Sequence, residues 1–70
     1  MLMERKLACD VYDSGEVSEY GIPVVAEFGA SNERYIQLLG VQFGWSFKQI
    51  KDNIFENQYG AKFTICNFEE

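Results

Sequence analysis

The stretch from Gly44 to Gly60 places the strongest constraint on the fold, because it carries signals for its own start and stop. Ser46 is a good helix N-cap, since its hydroxyl can accept a hydrogen bond from the backbone N–H of Gln49. Gln49 can reach back to the N–H of Ser46, which completes a capping box. Trp45 and Ile50 stand at the two positions of a hydrophobic staple. Phe47, Ile50 and Ile54 recur at helical spacing with Phe55 beside them, so one stripe is apolar. Gly60 supplies a left-handed residue at the end. The pattern predicts a capped amphipathic helix here.

The rest of the chain is arranged around that helix. Leu7–Tyr12 alternates as a strand does, with Leu7, Cys9 and Val11 on one side and Ala8, Asp10 and Tyr12 on the other. Asp13–Gly21 is polar with two glycines and reads as a turn or an extended hairpin tip. Ile22–Phe28 reads as a second strand, and Pro23 belongs at its start or on an edge because it has no N–H to donate. After the break at Gly29–Asn32, Ser31 or Asn32 can cap a first helix carrying Ile36, Leu39 and Phe43, widened by Tyr35 and Leu38. Gly40 should weaken that helix by about 1 kcal/mol relative to Ala. Gly44 can terminate it. Ala61–Phe68 reads as a third strand, and Glu69 and Glu70 as a solvated tail. The expected fold is α+β, a small single domain over residues 1–70. It has an antiparallel three-stranded sheet with two helices packed on one face, in the order β-β-α-α-β. Its parts are an acidic β-hairpin over 7–28, a helix pair over 33–59 and a C-terminal strand over 61–68. Placing the last strand beside the first would bring Cys9 and Cys66 near each other.

Size makes the core the critical quantity. Seventy residues are near the length at which one core is only just sufficient, and a homodimer would relieve that limit. Six Phe, four Tyr and one Trp bury much area per residue, which offsets the ordering entropy of a short chain. There is no run of about 18 apolar residues, so no transmembrane helix is expected, and the N-terminus has no secretory pattern. Cytoplasm is the expected compartment, the host's if the chain is phage-encoded. Two cysteines without a secretory signal suggest buried thiols and not a disulfide framework.

The charges are segregated. Between Asp10 and Glu33 stand Asp13, Glu16, Glu19 and Glu27 with no Lys or Arg, while Arg34, Lys48 and Lys51 follow with no acid between them. A net charge of −5 disfavours direct binding to nucleic acid or an anionic membrane. It suits a larger basic partner, a protein or a nucleoprotein complex. Carboxylates along a ribbon can occupy the Lys and Arg sites that a phosphate backbone would use. The candidate partner-binding residues are Asp10, Tyr12, Asp13, Glu16, Glu19, Tyr20 and Glu27, with the tyrosines as apolar anchors and Tyr59 a further exposed-ring candidate. The simpler reading is a hairpin whose carboxylates only keep a small protein soluble and guard its strand edges.

The helix pair offers a rival reading. Leu39-Gly40, Phe43-Gly44-Trp45-Ser46 and Ile50 resemble the spacing of a DNA-binding helix-turn-helix, resting on Gly40, Gly44 and Ile50. The pattern departs at Asn53, where a further apolar residue belongs, and that residue comes instead at Ile54. The resemblance implies Lys48, Gln49, Lys51 and Asn53 as base and phosphate contacts.

Parts for catalysis are few. The chain has no histidine, no glycine-rich phosphate loop and no nucleophile with an evident base, so neither an enzyme, a cofactor nor a metal site is expected. A compact acidic chain of this kind is similar in general character to phage-encoded inhibitors of host defence, anti-CRISPR proteins among them. That likeness is one of size and composition. The leading expectation is a non-enzymatic protein-binding module, an inhibitor or modulator that presents its acidic hairpin. The alternative is a helix-turn-helix-like transcriptional regulator.

Overall fold

The alternation around Leu7 and Val24 produces the expected antiparallel ribbon, but with longer strands. β1 spans Met3–Val11 and β2 spans Val17–Glu27. The computed structural model describes residues 2–67. The turn between the strands is confined to Tyr12–Glu16, where Gly15 takes a left-handed φ of 91° and the Tyr12 N–H donates to the Glu16 carbonyl at 2.8 Å. Much of the polar stretch read as a tip is therefore strand. β2 is an edge strand, which is where Pro23 can be tolerated.

The first helix, α1, spans Asn32–Phe43. Ser31 is its N-cap: the hydroxyl accepts from the Arg34 N–H at 3.2 Å. Gly44 ends it with φ 70°, its N–H donating to the Gly40 carbonyl. Tyr35, Ile36, Leu39 and Gly40 are buried against the sheet. The Tyr35 hydroxyl, inside the core, donates to the Glu4 carbonyl at 2.9 Å, so its polar end is satisfied.

The second helix does not exist. Residues 46–60 instead contain β3 (Phe47–Lys51), β4 (Ile54–Asn57) and the turn leading to β5 (Lys62–Asn67). Among the described residues the order is β-β-α-β-β-β, and the sheet has five antiparallel strands arranged β2-β1-β5-β4-β3 with one helix on one face. This replaces the three-stranded sheet with two helices. The physical reason lies in three places. Only Lys48, Gln49, Lys51, Glu56 and Gln58 in this segment are good helix formers; the Phe, Ile, Asp, Asn and Tyr residues around them are weak ones. Asn53 tolerates the left-handed conformation, and at φ 59° it turns the chain back on itself after Asp52. Pairing Phe55 with Phe63 then joins two rings across strands within the core. The supposed capping residues have other roles. The Ser46 N–H donates to Gln58 Oε1 at 2.8 Å, and Gln49 is a strand residue opposite Phe55. Gly60 is left-handed, at φ 83°, but it closes the β4–β5 turn.

The core joins Ala8, Val24 and Ala26 of the ribbon to Tyr35, Ile36 and Leu39 of the helix and to Phe55, Phe63 and Ile65. Trp45 stacks between Phe43 and Phe63, with ring centroids 4.7 and 5.5 Å away, and so clamps the helix end onto β5. β5 lies beside β1, with Cys66 opposite Leu7 and Cys9 opposite Thr64. Phe68, Glu69 and Glu70 lie outside the described residues.

Candidate functional site

Beyond Asp10, the last residue of β1 paired with β5, the β1–β2 ribbon continues with no third strand beside it. Its register slips between Cys9 and Val11, because β2 carries extra residues there. The Ser18 hydroxyl accepts from the Tyr20 N–H at 3.2 Å within this irregularity. The bulge turns Tyr20 outward, to 83% exposure, while Tyr12 and Val17 are 53% and 46% exposed. Asp10, Asp13, Glu16 and Glu19 are exposed on the same end of the ribbon. Six of the anticipated partner-binding residues are therefore brought together: Asp10, Tyr12, Asp13, Glu16, Glu19 and Tyr20.

Glu27 is not among them. It ends β2, eight residues beyond Glu19, or about 26 Å along an extended strand. Its carboxylate pairs there with Arg34 of α1 at 3.1 Å. Its own backbone N–H, and then the Arg34 guanidinium, hold the Glu27 carboxyl below its usual value. Asp13 also has a partner, Lys62, at 3.4 Å, but the carboxylate is fully exposed and such pairs contribute little. Asp10, Glu16 and Glu19 make no ion pair among the described residues.

The residues expected to read DNA lie elsewhere and on a different element. Lys48, Gln49 and Lys51 belong to β3, at the far edge of the sheet, and Lys48 pairs with Glu56 at 3.7 Å. The Asn53 side chain is an internal lock: its Oδ1 accepts from Asn32 at 2.7 Å and its Nδ2 donates to the Ile65 carbonyl at 3.2 Å. No helix pair exists to place these residues in a groove of DNA, so the helix-turn-helix resemblance fails with the helix that carried it.

Two further features stand out; the first was not legible in the sequence, and the second follows from the last strand lying beside the first. One is a groove of about 670 Å³ between α1 and β3, floored by Ile36, Gly40, Phe47 and Phe55. It depends on β3 being a strand, and the helical reading of that segment hid it. The other is the thiol pair on the sheet face opposite α1. Cys9 and Cys66 are both free, and Cys9 is buried. Burial first, then its contact with the Cys66 thiol and the nearby Asp10, push the Cys9 thiol up to about 11. Among the described residues no three acidic or cysteine side chains are grouped so as to hold a metal ion, and no helix is long and apolar enough to cross a membrane.

No protein family, no curated protein and no solved structure matches this chain.

Proposed function

We propose that the chain is a non-enzymatic protein-binding module that docks the tip of its β1–β2 ribbon onto a basic surface of a larger protein or nucleoprotein complex, as an inhibitor or modulator. One observation supports this role: two exposed tyrosines, Tyr12 and Tyr20, stand with the exposed carboxylates of Asp13, Glu16 and Glu19 on the part of the ribbon that runs past β5, and Asp10 is exposed where that part begins. Tyr rings are effective interface anchors because they carry large area and a polar tip at little entropic cost. Asp10, Glu16 and Glu19 would steer the encounter and pair with Lys or Arg on the partner, in competition with phosphates. Glu27 has no part in it, being held by Arg34 at the other end of the strand.

The test begins with capture of the partner from the source cells on the immobilised chain. The affinity of the purified partner is then measured at about 50 mM and about 300 mM salt. Binding should weaken with salt, and Glu16→Lys with Glu19→Lys should reduce it by about 100-fold through like-charge contact. Tyr20→Ala should speed dissociation about tenfold. Unchanged affinity in the charge-reversed variant would remove the ribbon tip from the mechanism.

A further inference from the structure

The groove beside α1 lies at the edge of the sheet remote from the ribbon tip. β3 is the terminal strand and pairs only with β4, so its outer edge has no strand partner among the described residues. The two edges of the sheet are not equivalent. β2 carries Pro23, which removes a donor in mid-strand, and its pairing is irregular towards Val17. β3 has neither proline nor glycine, and its own register slips by one residue between Gln49 and Lys51. An exposed edge without proline beside a helix-walled groove is the arrangement in which an extended peptide can add to a sheet and lodge alternate side chains.

We infer that this groove takes an extended peptide segment of alternating apolar and acidic residues, added as a sixth strand along β3. Register and charge specify the alternation. Gln49 pairs with the buried Phe55, so Phe47 and Gln49 look toward α1 and line the groove. Lys48 pairs with Glu56 on the opposite face, and after the one-residue slip Lys51 pairs with Ile54 there too. A strand laid beside β3 therefore sends one set of side chains over Phe47 and Phe55 and the other beside Lys48 and Lys51. The first set meets Ile36, Phe47 and Phe55, with Glu33, Gln37 and Gln49 also lining the groove. The second meets Lys48, which also pairs with Glu56 of β4 at 3.7 Å, and Lys51, which has no acid opposite it, in a chain whose net charge of −5 repels acidic segments elsewhere. The lengths agree: five residues of β3 span about 16 Å and twelve of α1 about 18 Å, so five or six residues of extended peptide fill the groove. A second copy of this chain is a poorer occupant, because two β3 strands side by side would gather the lysines of both copies.

This inference is independent of the ribbon tip. The probe is an acetylated six-residue peptide alternating Glu and Val, with a Lys–Val peptide as control. Each is titrated to about 1 mM into the isotopically labelled full chain at about 50 mM salt and followed by amide shifts. The Glu–Val peptide should shift amides of Phe47–Lys51 and of the groove side of α1, and the Lys–Val peptide should bind at least about tenfold more weakly. Lys48→Glu with Lys51→Glu should reverse the preference. Both lysines are exposed, and unchanged shifts in β1, β2 and β5 will show that the fold is retained. The inference is overturned by equal binding of the two peptides or by no shift at 1 mM. It is also overturned by shifts confined to β2 or the ribbon tip, or by sedimentation showing β3 closed by a second copy.

Discussion

Gly40 shows how a residue's local preference and its surroundings can point in opposite directions. By helix propensity alone, Gly40→Ala should stabilise α1 by about 1 kcal/mol. Yet a Cβ at Gly40 would sit 2.6 Å from the Trp45 carbonyl oxygen, a backbone atom that cannot swing aside. That backbone leads into β3 and carries the ring stacked between Phe43 and Phe63. Gly40→Ala is expected to lower stability by about 1–2 kcal/mol, an overpacking cost larger than the propensity gain. Thermal unfolding should show a melting temperature lower by roughly 4–15 °C. Cys9 makes a second prediction at this scale. Its thiol pKa is raised on folding, so the native state holds the proton more tightly than the unfolded chain does. The stability this contributes is fully present below pH 9.0 and is lost as pH rises through about 11. Cys9→Ala should flatten that part of the alkaline stability curve. Alkylation near neutral pH, read by peptide mass, should label the half-buried Cys66 at least about tenfold faster than Cys9.

At the scale of elements, α1 and the ribbon were legible, and the β3–β4 hairpin was not. Ser31, Gly44 and the spacing of Ile36 and Leu39 are local signals, and they act locally in the fold. The 46–60 segment carries signals of the same kind, but they conflict: Phe47, Ile50 and Ile54 keep helical time, while Asp52-Asn53 is turn chemistry. The helical stripe would have buried Ile50, which the hairpin leaves 39% exposed. Asn53 decides between them, through a left-handed backbone and two side-chain hydrogen bonds that reach α1 and β5. Asn53→Gly keeps the backbone freedom and loses the bonds, at an expected cost of about 1–2 kcal/mol. Asn53→Ala adds left-handed strain of about 1 kcal/mol. Urea unfolding should therefore rank the wild type above the glycine variant and the glycine variant above the alanine variant. Equal stabilities for the two variants would mean that the turn backbone contributes nothing.

At the scale of the molecule, the two proposed surfaces lie towards opposite edges of one sheet, the first with carboxylates and the second with Lys48 and Lys51 on its strand. The ribbon tip is acidic and protrudes; the β3 edge carries those two lysines and is flanked by a groove. Such separated sites should act independently. Glu16→Lys with Glu19→Lys should leave binding of the Glu–Val peptide within about twofold of wild type, and Lys48→Glu with Lys51→Glu should leave capture of the basic partner equally unaffected. A competition experiment with both ligands present will show whether they exclude one another. The acidic run read along the chain from Asp10 to Glu33 is divided in space. Strand length carries Glu27 to the far end of β2, where Arg34 holds it, so only the N-terminal part of that run remains a cluster.

The sequence alone determined what depends on neighbours along the chain: the cap and stop of α1, the alternation of the ribbon, the place for Pro23, and the concentration of carboxylates near its tip. Tertiary structure decided the rest. Whether residues 46–60 coil or fold back depended on partners distant in the chain, since a strand is stabilised by the strand beside it and a helix mainly by its own turns and one buried face. Phe63, lying beside Phe55 at the centre of the sheet, is the partner that residues 46–60 cannot declare on their own.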